Sequence, residues 1–307
     1  MKRHFIINPH SGRGLSARAV AKLQEHFTRQ IGAFEYTIAE SREAAIDATR
    51  KSLRDGTDQI VAVGGDGTAN AVTNGFFDYG EPIRPQSSLV VGSAGTGSDY
   101  FKTIVAGRRG CDWRELVLRH VARPVDVGRI EYADPALCDQ YFLNMASVGM
   151  IAEVVRGKNR LSRRLPQVLR YLLPTVGCFF SYRPRPMQVT TDSGQRDSKL
   201  LAVSIAKGIH AGGGMRLGGG ATLCDGRFDV TLFGAFRPVE MLLKVGKLYT
   251  GRFENEAKIE EVRTQRISIR ASEPLPVEFD GEVYGHADVE VTVVPAAIHV
   301  CFPIDSR

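Results

Sequence analysis

Ile60-Val61-Ala62-Val63-Gly64-Gly65-Asp66-Gly67-Thr68-Ala69-Asn70 is the stretch on which the reading of this chain turns. Four apolar residues without polar alternation read as a strand buried on both faces, the kind found inside parallel sheets. Two adjacent glycines then let the backbone turn tightly and approach a ligand with no Cβ in the way. Ala69 to Phe76 reads as a helix, and its N-terminus offers backbone N–H groups to an anion. The same order of run and loop occurs twice more. Phe5-Ile6-Ile7 leads into Asn8-Pro9-His10-Ser11-Gly12, and Leu89-Val90-Val91 leads into Gly92-Ser93-Ala94-Gly95-Thr96-Gly97-Ser98-Asp99-Tyr100. Helical stretches with Leu15, Ala19, Leu23 and Phe27 on one face, and from Ala44 to Leu53, lie between these runs; Phe34 to Ile38 reads as a strand. Short apolar strands alternating with helices imply an α/β domain with a Rossmann-like parallel sheet. Ligands of such sheets bind at the loops leaving the carboxyl ends of the strands.

Beyond about residue 125 the pattern changes. Leu200 to Ala206, Phe228 to Phe233, Arg266 to Ala271, Pro276 to Phe279 and Asp288 to Val294 are short runs rich in Val, Ile and Phe, separated by Gly, Pro and Asp. They imply a second, β-rich domain built as a sandwich. The expected division is therefore 1–125 and 126–307, with the last residues free to pack back on the first domain. Its length of 307 residues suits two cores.

Composition narrows the function. The net charge of +6 suits nucleotide phosphates or an anionic membrane surface. It is too small, and too free of runs, for a nucleic-acid binder. No apolar run reaches the ~18 residues that span a bilayer, and the N-terminus lacks the pattern of a signal peptide. Cys111, Cys138, Cys178, Cys224 and Cys301 are scattered and form no C-x-x-C pair, so a reduced, cytoplasmic chain without a zinc site is expected.

Gly64-Gly65-Asp66-Gly67-Thr68 resembles the signature shared by diacylglycerol, sphingosine and NAD kinases and phosphofructokinases. No Gly-Lys-Ser/Thr follows, so it is not a Walker A loop. Asn8-Pro9-His10-Ser11-Gly12 resembles the Asn-Pro-x-Ser-Gly loop of bacterial and eukaryotic lipid kinases. The third loop resembles their Gly-Thr-x-Asn-Asp-Phe, with Thr96 and Asp99 matching, Ser98 in place of Asn and Tyr100 in place of Phe. Lys102 stands near the family's usual Arg. Together these resemblances point to the diacylglycerol and sphingosine kinase catalytic family. They imply ATP and Mg²⁺ as cofactors and an ATP site of Asn8, Ser11, Gly12, Gly64, Gly65, Asp66, Gly67, Thr68, Asn70 and Thr96. Asp66 and Asp99 would hold catalytic Mg²⁺, partly through water.

Three later segments extend the resemblance. Gly212-Gly213-Gly214-Met215 resembles a Gly-rich turn of the family's C-terminal domain. Asp225-Gly226-Arg227-Phe228-Asp229-Val230 resembles Asp-Gly-Leu-Leu-Asp-Val, which in bacterial members binds a structural Mg²⁺. That implies the Asp225 carboxylate and the Thr222 and Arg227 carbonyls as ligands, a donor set that suits a hard cation; an Asp-Gly turn between strands reads equally well. Glu278-Phe279-Asp280-Gly281-Glu282 resembles the Asp-Gly-Glu motif, which implies Asp280 as general base and Glu282 as its magnesium-linked partner. Asp-Gly is also a strong hairpin-turn signal.

The implied activity is ATP-dependent phosphorylation of a neutral lipid's hydroxyl, with ATP in the cleft between the domains. An NAD kinase-like enzyme, or a nucleotide-binding regulator of weak activity, is the alternative. The segment with Arg156, Lys158, Arg160 and Arg163, followed by apolar Val168, Leu169, Leu172, Leu173, Phe179 and Phe180, reads equally as a peripheral contact with anionic membrane or as a helix packed on its own domain. The resemblance also allows a homodimer.

Overall fold

The computed structural model describes residues 1–12, 15–93, 98–105, 110–162, 165–251 and 256–304, apart from the side chains of Gln167 and Val245. The chain divides into two compact units, Met1–Val125 with Ala296–Arg307, and Asp126–Pro295.

The first unit is an α/β layer structure. Strand Arg3–Ile7 lies parallel to Glu35–Ile38 on one side and to Gln59–Gly64 on the other. Gln59–Gly64 then pairs in parallel with Ser88–Ser93, which pairs with His299 and Val300 near the end of the chain. All six residues of Gln59–Gly64 are buried, as the unalternating apolar run requires. The helices are α1 (Ala17–Ile31), α2 (Arg42–Arg54), α3 (Asp66–Gly75), α4 (Asp99–Ile104) and α5 (Trp113–Leu118). Ser16 and Ser41 cap α1 and α2 through side-chain oxygens that accept from Ala19 N–H and Ala44 N–H. The buried face of α1 presents Val20 and Phe27, and Phe27 packs on Phe5 with ring centroids 4.9 Å apart. These contacts hold α1 on the sheet, and the parallel pairing puts the carboxyl ends of Arg3–Ile7, Gln59–Gly64 and Ser88–Ser93 at one edge.

The second unit is a β-sandwich with helices added. One sheet has six antiparallel strands in the order Ile259–Thr264, Phe228–Phe233, Ala202–Ala206, Met145–Gly149, Pro276–Phe279, Glu282–His286. The facing sheet includes Gly194–Leu200, Arg185–Thr191, Arg266–Ala271 and the first half of Val289–Phe302. Val203, Ile205, Phe228, Val230 and Phe279 from the first sheet close on Val189, Ile267, Ile269 and Val291 from the second.

Three helices belong to this unit: α6 (Met150–Arg160), α7 (Gln167–Ser181) and α8 (Pro238–Thr250). The expected β-rich domain therefore carries a helical layer, of which only the α6–α7 stretch stood out in the sequence. The start of α8 carries its own signals: Pro238 in the first turn, Arg237 N–H donating 2.7 Å to Glu240 Oε2, and Gly251 in the left-handed region at the end.

Candidate active site

In the first unit the glycine pair does two separate jobs. A Cβ on Gly64 would lie 2.2 Å from Thr68 Oγ1, so only glycine lets the first turn of α3 fold back against the strand end. A Cβ on Gly65 would meet nothing within 4 Å, so the backbone there faces open space. Gly65 is the N-cap of α3, and no side chain caps that helix. Its positive end therefore suits an anion. Asn8 Nδ2 donates to Thr68 Oγ1 at 3.1 Å, and Ser11 Oγ lies 3.3 Å from the same oxygen. Asn8, Ser11, Gly64 and Thr68 thus form one cluster at the ends of two neighbouring strands. Gly12 closes the Asn8 loop at a φ of 62°.

Asp66 does not point outward from its loop. Its Oδ1 accepts from Ser98 Oγ at 2.9 Å and Tyr100 N–H at 3.3 Å, and its Oδ2 accepts from Asp99 N–H at 3.1 Å. The carboxylate therefore ties the second loop to the start of α4. Burial, and then repulsion from the Asp99 carboxylate, push Asp66 up to about 6 against these three donors. Lys102 Nζ donates to Asp99 Oδ1 at 2.7 Å. Two carboxylates whose repulsion raises one of them offer a hard cation both charge and oxygen ligands, and the Lys102 side chain, 39% exposed, is free to turn to solvent when a cation arrives, so these residues fit catalytic Mg²⁺.

Two further residues of the expected ATP site belong to this unit. Asn70 is fully buried, and its Oδ1 accepts from Arg42 Nη1 at 2.6 Å and from Asn74 Nδ2 at 3.1 Å. These contacts join α3 to α2, on the inward face of the helix. Thr96 lies outside the described residues.

In the second unit Asp280 and Gly281 form the two-residue turn between Pro276–Phe279 and Glu282–His286, both at positive φ (49° and 90°). That is the hairpin geometry Asp-Gly favours. The turn places the Asp280 side chain inward. Its Oδ2 accepts from Leu143 N–H at 2.9 Å, and its Oδ1 from Asn144 N–H at 3.0 Å and Met145 N–H at 3.1 Å. The hairpin and the oriented carboxylate are thus one feature. Asn144 extends the cluster, donating from Nδ2 to His210 O at 2.8 Å, at the edge of the Gly212-Gly213-Gly214 turn. Glu282 begins the next strand and is half-buried.

Glu278 received no role from the sequence. Its Oε2 accepts from Ser147 Oγ at 2.7 Å and its Oε1 from Gly281 N–H at 2.8 Å. It is 6% exposed, and burial pushes it up to about 7. Only its place on the inward side of the strand marks it, which a motif reading passes over.

The Asp225 loop departs most from expectation. Asp225 and the Arg227 carbonyl do converge, but on Lys207: its Nζ lies 3.0 Å from Asp225 Oδ1 and 2.9 Å from Arg227 O. The third partner is Asp126 Oδ2 at 2.8 Å, which also accepts from Gly226 N–H at 2.7 Å. The Thr222 side chain hydrogen-bonds Asp225. A divalent ion sharing these oxygens would sit about 4 Å from the ammonium, a repulsion on the order of 8 kcal/mol at an effective dielectric constant of about 20. The residues present do not fit a structural Mg²⁺ there.

An apolar cavity lies under the helices of the same unit. Met150, Ile151, Phe179, Leu201, Met241 and Leu248 are among its walls, and Lys244, Lys247 and Glu256 are its charged members.

A parallel-sheet unit with a glycine-rich anion loop and paired carboxylates, joined to a β-sandwich, defines a two-domain nucleotide-using phosphotransferase. Residues 2–130 match the diacylglycerol kinase catalytic domain, and residues 144–302 match the YegS C-terminal NAD kinase beta sandwich-like domain. The chain belongs to this diacylglycerol kinase and YegS-like lipid kinase family. It is 29% identical to a diacylglycerol kinase of Bacillus subtilis over 99% of this chain and 97% of the relative. It is 24% identical to a probable lipid kinase YegS-like protein of Chromohalobacter salexigens, over 83% and 79% of the two chains. The fold is that of a crystal structure described as a diacylglycerol kinase from Bacillus anthracis, with a TM-score of 0.71, 20% identity, and coverage of 98% of this chain and 96% of that one.

Proposed function

We propose that this kinase transfers the terminal phosphoryl group of ATP to the hydroxyl of a neutral lipid with diacylglycerol-like chains. The observation that carries the lipid reading is the apolar cavity beneath α6, α7 and α8, because a soluble acceptor has no use for walls of Met, Ile, Leu and Phe.

Phosphoryl transfer asks for positioning and charge neutralisation. In this reading the backbone of Gly64 to Thr68, with Asn8 and Ser11, receives the phosphates at the N-terminus of α3. Asp66 and Asp99 hold Mg²⁺, which when bound offsets the charge of the transferring group. Ser98 and the first N–H groups of α4 fix the Asp66 carboxylate for that task. Asp280, oriented by the N–H groups of residues 143–145, accepts the proton of the lipid hydroxyl, and Glu282 assists it.

The exposed side chains of two helices support a membrane-facing role. Val168, Leu169, Leu173 and Phe180 on α7, and Val239, Leu242 and Leu243 on α8, are all exposed, with Leu243 at 81%. No helix among the described residues is long and apolar enough to cross a membrane. These two helices therefore offer a surface for lying on a bilayer next to the cavity that takes the chains.

A cavity-filling substitution tests the lipid site. Ile151→Trp should raise the KM for micellar diacylglycerol at least about tenfold and leave Mg·ATP affinity within about twofold. Unchanged KM for every lipid acceptor would remove the cavity from the account.

A further inference from the structure

We infer that this chain supplies its own cation to the Asp225 loop, the Lys207 ammonium, and that the second unit keeps its fold without a divalent metal. The inference stands on the geometry of that loop and does not depend on the kinase reading.

Lys207 follows directly on the strand Ala202–Ala206, and its side chain is fully buried. An ammonium carries three N–H donors, and three oxygens surround this one at 2.8–3.0 Å: Asp126 Oδ2, Asp225 Oδ1 and Arg227 O. They come from two segments, the strand at Asp126 and the turn at 225–227, so the lysine does what a structural metal does and ties separate parts of the chain to one charge. The Asp126 carboxylate is 3% exposed and has Gly226 N–H as a further donor. The surrounding charges are also accounted for. Arg263 pairs with the other oxygen of Asp225 and lies 3.3 Å from Asp229 Oδ1. Asp126, Asp225 and Asp229 thus already face two positive charges, Lys207 and Arg263.

The lysine is also joined to the Asp280 cluster. Lys207 N–H and Gly208 N–H donate to Asn144 O at 2.9 and 2.8 Å, and Asn144 N–H donates to Asp280 Oδ1. The oxygens that hold the Lys207 ammonium in place thereby steady the residues that orient Asp280. Within this family the Asp225 position resembles a metal-binding segment, and here a covalently attached charge takes that place. Such a charge cannot be lost to a chelator.

The test uses the purified full chain without nucleotide. Its thermal midpoint is measured in excess EDTA and in 10 mM Mg²⁺ or Ca²⁺, and bound metal is counted after gel filtration. The wild type should show midpoints within about 1 °C of each other and retain no stoichiometric metal. Lys207→Ala leaves two carboxylates and a carbonyl around an empty position. Its midpoint in EDTA should fall by about 10 °C, as expected when one partner of a buried ion pair is removed, and added Mg²⁺ or Ca²⁺ should restore part of the loss.

A wild-type midpoint that drops by several degrees in EDTA, with one equivalent of metal bound and both effects removed by Asp225→Asn, overturns the inference. An EDTA effect that persists in Asp225→Asn belongs to another site and leaves Lys207 as the cation of this one. Should Lys207→Ala fail to fold, the wild-type midpoints and metal count decide alone.

Discussion

Replacing Glu278 by Gln should make the protein more stable at alkaline pH and leave it nearly unchanged in mild acid. The carboxyl is 6% exposed, and burial, the largest influence on it, lifts it from an ordinary 4.5 to about 7. Between those two values the folded protein holds a proton that the unfolded chain has released. Stability contributed by that proton is present below pH 4.5 and falls as pH rises through the window, with the loss complete above pH 7. A displacement of about 2.5 pH units corresponds to about 3 kcal/mol, or roughly 6–12 °C in midpoint for a unit of this size. Glutamine cannot ionise. Its oxygen can accept from Gly281 N–H, and its amide can donate to Ser147 Oγ, so the substitution keeps both contacts. Any remaining mismatch adds a pH-independent offset. Asp66 titrates in the same direction in the other unit, but it is common to both proteins and cancels in the difference. The assay is the thermal midpoint of wild type and Glu278→Gln from pH 4.5 to 8.5. The variant should gain on the wild type steadily up to about pH 7 and then hold its advantage. A difference that stays flat across the range, or moves toward the wild type with rising pH, refutes the reasoning.

Other substitutions follow from the same contacts. Asp280→Asn should cut turnover at least about a hundredfold. It should also lower the midpoint, because an amide N–H turned toward the N–H groups of residues 143–145 costs about 1–3 kcal/mol; full activity would remove Asp280 as the base. Gly64→Ala places a methyl where Thr68 Oγ1 stands and should abolish measurable ATP binding by calorimetry, whereas unaltered affinity would show that the strand-end cluster does not bind phosphate. Ser98→Ala removes a 2.9 Å donor to Asp66 and should raise the Mg·ATP KM about three- to tenfold with lipid KM unchanged. Leu243→Glu should weaken sedimentation with anionic vesicles severalfold and leave activity on short-chain lipid in solution intact; equal sedimentation would place the membrane contact elsewhere.

The parallel-sheet unit could be read in the sequence because its strands are buried on both faces. Runs such as Ile60 to Val63 need no tertiary context to be recognised, and the glycines after them mark the ligand edge. The hairpin at Asp280-Gly281 was equally legible as a turn. That its carboxylate would be gripped by residues 143–145 was not, because the partners are 135–137 positions away. Lys207 shows the same limit. It follows an apolar strand and looks like an ordinary lysine at a strand end, yet its oxygens come from residues 81, 18 and 20 positions distant. The Asn70 contact with Arg42 was not legible either, because the partner is 28 positions away on another helix. Helix α8 was hidden by its apolar and basic mixture, since Val239, Leu242 and Leu243 sit on the exposed side.

The central claim is that phosphate passes from ATP to a lipid hydroxyl. It is tested most directly by incubating purified protein with terminally labelled ATP, Mg²⁺ and a panel of neutral lipids in mixed micelles, beside Asp280→Asn. The account predicts label in a diacylglycerol-like acceptor at a rate the variant cannot approach. Intact ATP binding with no label in any lipid would contradict it.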